Sequence, residues 1–268
     1  MDYLGLSNKK ILVFGVANKK SIAYFVGKLL SEAGADVIYS VQTGEIKKKL
    51  ESFCLPGSIY CCDVGDDLQI KELAKEIKED HCHIDGILHS IAFAHYEDKK
   101  RAFYEIKKED FLQSIDISCF SLINIANEFR GILKQKASVV ALSISELRIA
   151  AENYGYMAPV KAALDSAICF LAKSYSSFSE VRFNAVGASL LKTSASSGIP
   201  GYIDSYLFAT RLTLRKRALE TSEVANTVVF LLSDRASGIN AQKIIVDCGM
   251  SINYFDKDII KDSLRSGE

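Results

Sequence analysis

Tyr154 and Lys161 are the two residues in this chain whose types and spacing point most directly to chemistry. In SISELRIAAENYGYMAPVKAAL, residues 143–164, they stand seven positions apart across the start of a helix that the pattern predicts over 154–178. Seven residues are about two turns at roughly 3.6 residues per turn, so both side chains are expected on one side of that helix. A tyrosine ordinarily loses its proton at about pH 10, and a neighbouring ammonium favours the ionised form. The expectation is a strong hydrogen-bond donor beside a fixed positive charge, both addressing a carbonyl. Chance co-occurrence on one helix is the competing explanation, and the segments around the pair decide between them.

The elements that must position such a pair are legible in the apolar pattern. Short apolar runs at Lys10–Gly15, Asp36–Ser40, Ser58–Cys62, Ile84–Ser90, Ser138–Ser143, Val181–Val186 and Lys243–Asp247 predict strands. Helical patterns between them span about 21–33, 45–53, 66–80, 108–134, 154–178 and 222–233. Near-continuous apolar strands alternating with helices predict an α/β fold, a doubly wound, Rossmann-like parallel sheet with helices on both faces. No repeat, low-complexity tract or Pro/Gly-rich linker interrupts the chain, so residues 1–268 are expected to form a single dinucleotide-binding domain. The last dozen residues, rich in charge and Ser/Gly, are expected to be partly irregular.

Composition narrows the class. Of 268 residues, 49% are hydrophobic and 25% charged, as in ordinary soluble globular proteins. The 33 basic and 33 acidic residues cancel, which argues against a nucleic-acid partner or a membrane surface. No apolar run reaches the roughly 18 residues of a membrane span, and the first residues lack a signal peptide's apolar core. Seven cysteines without a CxxC predict reduced thiols and a cytoplasmic location. His81-Cys82-His83 lacks structural-zinc spacing and predicts solvated side chains, with no metal.

The N-terminal half carries dinucleotide features. The first strand ends at Gly15, where a glycine allows the backbone to approach a pyrophosphate, although any tight turn can use one. Ser21 sits at the start of the next helix, to cap it or to bind phosphate. Gln42 follows the second strand, where such folds address the adenosine ribose. It is neutral and no Arg follows at once, which favours NADH over NADPH; Lys47, Lys48 and Lys49 read as a solvated face. Asp63-Val64 after the third strand would clamp an adenine, or Asp63 would cap the helix that starts near residue 66.

Taken together, GVANKKSIAY (15–24), CDV (62–64), HSIAFA (89–94), DISCFSL (116–122), YGYMAPVKAAL (154–164), VRFNAV (181–186), KTSASSGI (192–199) and SDRASGINAQKIIVDCG (233–249) resemble one family. It is that of the enoyl-acyl carrier protein reductases of bacterial fatty acid synthesis, a branch of the short-chain dehydrogenase/reductases. GxxxxxSIA in place of GxxxGxG marks that branch, as does Tyr-x6-Lys in place of Tyr-x3-Lys. Met157 occupies the Tyr-x3 position and cannot donate a proton, which speaks against an ordinary alcohol dehydrogenase.

The resemblance implies roles for matching positions. Gly15, Ser21 and Ile22 would border the pyrophosphate, Gln42 the ribose, and Asp63 with Val64 the adenine. Ser90, Ile91 and Ala92 would line the cofactor's path, Lys161 would bind the nicotinamide ribose, and Thr193 would lie near the pyrophosphate. Tyr154 would meet the thioester carbonyl, with Ala94, Met157, Ile199, Tyr202 and Tyr206 along the substrate. The implied reaction is NADH-dependent reduction of trans-2-enoyl thioesters on acyl carrier protein, in a cytoplasmic homotetramer. Residues at about 193–214 would be a lid, with Gly198 and Gly201 as hinges around Pro200; a surface helix packing its aromatics on the core is the alternative. Arg211, Arg215, Lys216 and Arg217 would offer a docking surface to an acidic carrier, or simply be solvated.

Departures from the family pattern bear on the substrate. Ile144 stands where a second tyrosine is common, Ala188-Ser189-Leu190 replaces Ala-Gly-Pro, and Asp247-Cys248-Gly249 replaces Asp-Gly-Gly. They keep two other functions in view: reduction of another enoyl or keto substrate in secondary metabolism, and a non-catalytic dinucleotide-binding sensor.

Overall fold

The computed structural model describes residues 2–53, 55–96, 102–152 and 154–265. The expected strands form as β1 (Lys10–Phe14), β2 (Asp36–Val41), β3 (Ser58–Cys61), β4 (Ile84–His89), β5 (Leu133–Ile144), β6 (Arg182–Ala188) and β7 (Lys243–Val246). All pair in parallel in the order β3-β2-β1-β4-β5-β6-β7. The order in which strands are added therefore reverses between β1 and β4, and the carboxyl ends of those strands border the crevice where such sheets take ligands.

The period of two in each strand sends alternate side chains to opposite faces. Leu12 and Phe14 of β1 face one core with α3 (Asp67–His81), α5 (Ser121–Phe129) and α6 (Met157–Tyr175), represented by Ile70, Phe129 and Leu164. Ile11 and Val13 face the other with α1 (Ile22–Glu32), α2 (Gly44–Glu51) and α9 (Thr221–Leu232), represented by Leu30, Leu50 and Val228. Both faces are covered, as an apolar parallel sheet requires.

Four elements differ from the sequence expectation. The helix predicted over 108–134 is α4 (Lys108–Ile115), a π-helical turn at Asp116–Phe120, and α5, while Leu133 already belongs to β5. Ser118 accounts for the bulge: its hydroxyl accepts from the Phe93 amide at 2.8 Å and donates to the Phe93 carbonyl at 3.2 Å. A tertiary contact thus overrides the local helical pattern, and π turns often mark functional regions. Helix α6 begins at Met157 rather than 154, with Pro159 in its first turn, where a missing N–H costs nothing. Residues 194–212 form α7 (Ser194–Ser197) and α8 (Tyr202–Leu212). The tail expected to be partly irregular carries a helix, α10 (Lys257–Arg265).

Candidate active site

Lys161 is placed by the second turn of α6 and is nearly fully buried at 4% exposure. Its Nζ donates to the Leu142 carbonyl of β5 at 2.7 Å and to the Ile91 carbonyl beyond β4 at 3.4 Å. The ammonium therefore bridges two strand ends at the centre of the sheet. Burial pushes its pKa down to about 8, with the Asp165 charge opposing. At neutral pH it stays charged, and the two carbonyls leave one of its three N–H groups for another acceptor.

Tyr154 is not on the helix with it. It stands in the turn before α6, half-buried, next to Gly155 at φ 53°. Burial pushes its phenol above the usual tyrosine range, and Tyr202 adds to that. The expected acidification by Lys161 is thus corrected. The ammonium is turned to the Leu142 and Ile91 carbonyls, and the phenol sits among aromatics instead. It remains protonated, a donor rather than an anion.

Around this pair lies an aromatic and hydroxyl framework that the sequence did not single out. The Tyr156 hydroxyl accepts from the His95 amide at 2.9 Å and donates to the His95 carbonyl at 2.8 Å, clamping the segment after β4 to the helix start. The Tyr96 hydroxyl lies 3.5 Å from the Tyr154 carbonyl. His89, at the end of β4, is fully buried with Nε2 at 2.8 Å from Ser121 Oγ, which itself donates to the Ile117 carbonyl at 2.7 Å. That network assigns the ring proton to Nε2, and Nδ1 has no hydrogen-bond partner among the described residues. Burial and then the Lys161 charge push His89 down to about 3, so it is neutral. Its signal in the sequence was the HSIAFA motif, of which only the residues after His89 were given roles.

The dinucleotide positions gather along the same edge. Gly15 has φ 92°, and a Cβ there would lie 2.0 Å from the Ser90 carbonyl oxygen. The glycine is needed for the close approach of two loops, which joins the Gly15 and Ser90 positions directly. Ser21 precedes α1; its hydroxyl donates to the Asn18 carbonyl at 2.7 Å and makes no cap bond, and Ile22 opens the helix. Gln42 Nε2 donates to Asp63 Oδ2 at 3.1 Å, so these two meet at the β2 and β3 ends. Asp63 does not cap α3: Asp66 does, accepting from the Leu68 amide at 3.0 Å. Val64 is buried in the core cluster, Ser90 and Ile91 are half-buried, and Ala92 is exposed. Lys48 and Lys49 are exposed on α2. These groups fit a dinucleotide. A turn with no room for a side chain leads into a helix whose first amides lack intrahelical partners, and a neutral Gln42 and an ammonium with a spare N–H lie along the same strand ends.

The substrate positions divide. Ala94 and Tyr154 are half-buried against the core beside the site. Met157 is 3% exposed, within the core itself. Thr193 caps α7, accepting from the Ser196 amide at 3.3 Å. Ile199 and Tyr202 are half-buried, and the Tyr202 hydroxyl clamps Leu191, 2.8 Å from both its amide nitrogen and its carbonyl oxygen. Tyr206 stacks on Tyr202 at 6.5 Å between centroids, with Lys192 Nζ 4.8 Å above its ring. Gly201, at φ 68°, needs its glycine to start α8, whereas Gly198 at φ −81° does not. The chain from 191 to 206 is thus folded down by its own aromatics. Ile144 ends β5, and Ser189 pairs by its amide with the Val246 carbonyl at 3.2 Å. Among the described residues no His, Cys, Asp or Glu cluster suits a metal ion, and no helix is long and apolar enough to cross a membrane.

Comparison with known proteins adds an independent line. A family model described as enoyl-(acyl carrier protein) reductase matches residues 15–251. The enoyl-[acyl-carrier-protein] reductase [NADH] of Enterococcus faecalis is 34% identical over 248 residues, 92% of this chain and 99% of that one. The [NADPH] enzyme of Staphylococcus aureus is 34% identical over 251 residues, 92% and 98% of the two chains. The crystal structure of the NADH enzyme from Aquifex aeolicus VF5 superposes with a TM-score of 0.89 at 30% identity, covering 94% of this chain and 99% of its own.

Proposed function

This chain belongs to the enoyl-(acyl carrier protein) reductase family, and from that membership we propose how its own residues carry out the reaction. The protein is an oxidoreductase that reduces the carbon–carbon double bond of enoyl thioesters on acyl carrier protein, in fatty acid synthesis, with NADH. Bound NADH supplies the hydride that adds to the β carbon of the enoyl chain. Gly15, Ser21 and Ile22 border its pyrophosphate, Gln42 and Asp63 with Val64 its adenosine, and Ser90, Ile91, Ala92 and Thr193 the path to the nicotinamide. Lys161 is held by the Leu142 and Ile91 carbonyls so that its remaining N–H binds the nicotinamide ribose.

As the β carbon is reduced, negative charge gathers on the thioester oxygen. Tyr154, kept protonated by burial, donates a hydrogen bond to that oxygen, and the Lys161 charge adds positive potential nearby. Protonation of the α carbon then gives the saturated thioester. Ala94, Ile199, Tyr202 and Tyr206 shape the acyl pocket, with Met157 in the core behind them, and residues 193–214 close over it as a lid within a single domain of residues 1–268. The chain works as a cytoplasmic homotetramer. The observation that carries this reading is an ammonium held by the Leu142 and Ile91 carbonyls at the β5 and β4 ends, with an uncharged phenol in the turn that leads into the same helix. The experiment is to mix purified protein and NADH with crotonyl and dodecenoyl thioesters and follow NADH loss. Turnover with a saturated product is expected, and none at any chain length would overturn it.

A further inference from the structure

The basic residues beyond α8 are occupied. Arg215 makes a double contact with Glu223, 2.5 Å on each arm, and Arg217 lies 3.0 Å from Glu220, so the start of α9 neutralises these two. Arg211 and Lys216 are met from another direction. Arg211, in the last turn of α8, pairs with Asp262 of α10, and Lys216 pairs with Asp256 just before α10. Asn253 fixes the same segment, donating to the Leu212 carbonyl where α8 ends, at 2.8 Å, and to Asp256 Oδ2 at 3.1 Å. Asp256 Oδ1 accepts from the Asp258 and Ile259 amides at 3.1 and 3.3 Å and so starts α10. The Lys216 ammonium holds the Asp256 carboxyl well below the usual range, with Asn253 adding to it.

This attachment is polar. Tyr254 and Phe255 are 84% and 79% exposed, so the largest side chains of the segment do not anchor it to the body of the protein. The Arg211–Asp262 pair is exposed, and such pairs contribute little and are screened by salt, while Asp256 is the more covered of the two carboxylates. A segment held in this way is displaceable by a competitor with the same charge pattern.

We propose that residues 253–265, through Asp256 and Asp262, are a built-in occupant of the surface formed by Arg211 and Lys216, which an acidic carrier protein displaces when it delivers its thioester. The proposal rests on the assignment of the chain as a reductase of carrier-borne thioesters. The position suits delivery, because Arg211 lies near one end of the same 11-residue helix that starts at Tyr202 and carries Tyr206 in its second turn. Charge complementarity does the rest: the segment presents Asp256 and Asp262 to the very cations that an acidic partner requires.

The test compares two substrates in the parent chain and in the double variant Asp256→Asn, Asp262→Asn. Asparagine starts a helix as well as aspartate does, so α10 is retained. One substrate is a trans-2-enoyl chain on acyl carrier protein, the other the same chain on neutral N-acetylcysteamine. The KM for the carrier-borne thioester is expected to fall about three- to tenfold in the variant, while kcat/KM for the small thioester changes less than about twofold. A chain truncated after Asn253 should behave like the variant. An unchanged or higher carrier KM would overturn the proposal, as would an equal change with both substrates. No turnover of the small thioester by the parent chain would overturn the reductase assignment, and the proposal with it.

Discussion

Tyr154 and Lys161 act from different environments, and that separates their mutational signatures. The phenol is an uncharged donor in an aromatic corner, so its loss removes charge stabilisation that exists only as the thioester oxygen becomes negative. Tyr154→Phe is expected to slow single-turnover NADH consumption about 10²- to 10³-fold while the Kd for NADH changes little. Lys161→Ala is expected to raise that Kd tenfold or more, and equal NADH affinity in the two variants would contradict the division. Because burial brings Lys161 to about 8, NADH affinity should weaken as pH rises through that value and the ammonium is lost. His89 bears on stability instead. It is neutral when folded, with a pKa near 3, but takes up a proton near pH 6.5 when unfolded, so acid favours the unfolded chain. Between pH 7 and pH 5 this costs about 2 kcal/mol, which His89→Gln should remove from the shift in urea midpoint between those values. None of this environment was legible in the sequence. The spacing located Tyr154 and Lys161, but which carbonyls hold the ammonium depends on how β4 and β5 end beside α6.

Among the elements, what could be read ahead followed from local chemistry. The buried strands announced themselves by runs such as KILVF and DVIYSV, since a parallel sheet covered on both faces needs apolar residues without interruption. The break at 116–120 was illegible because it depends on Ser118 reaching Phe93, 25 positions away in the chain. The two-helix form of residues 194–212 was hidden for a similar reason: the Tyr202 hydroxyl reaches back to Leu191. That clamp carries its own prediction. Tyr202→Phe leaves the Leu191 amide and carbonyl without this partner, a loss of about 1–3 kcal/mol confined to the segment. Amide exchange from 191 to 206 should accelerate, and the KM for the enoyl thioester should rise with the Kd for NADH unchanged. Unaltered exchange in that segment would show that stacking with Tyr206, and not the hydroxyl, holds it down.

At the scale of the molecule, two groups among the exposed apolar side chains bear on the four-chain assembly proposed for this protein. One lies on the helices that cover the α4–α6 side, with Leu112, Phe120, Ile123 and the 73% exposed Phe170. The other lies at the edge of the sheet, where among the described residues β7 has no strand beyond it and exposes Ile245. An exposed strand edge invites pairing, and exposed apolar side chains on packed helices suit contacts between chains. One isologous face yields a dimer; two that are related by different two-fold axes close into a tetramer with no surface left to extend it. Sedimentation equilibrium at micromolar concentration should therefore give four times the 29.5 kDa chain mass. Phe170→Lys should break one set of contacts and Ile245→Lys the other, each leaving a two-chain species, and the pair of substitutions together should leave single chains. Because each contact joins apolar patches and not the turn and helix start that carry Tyr154 and Lys161, the two-chain species should still consume NADH with a small enoyl thioester. A parent chain that sediments as a monomer would mean that something other than a second copy covers these faces.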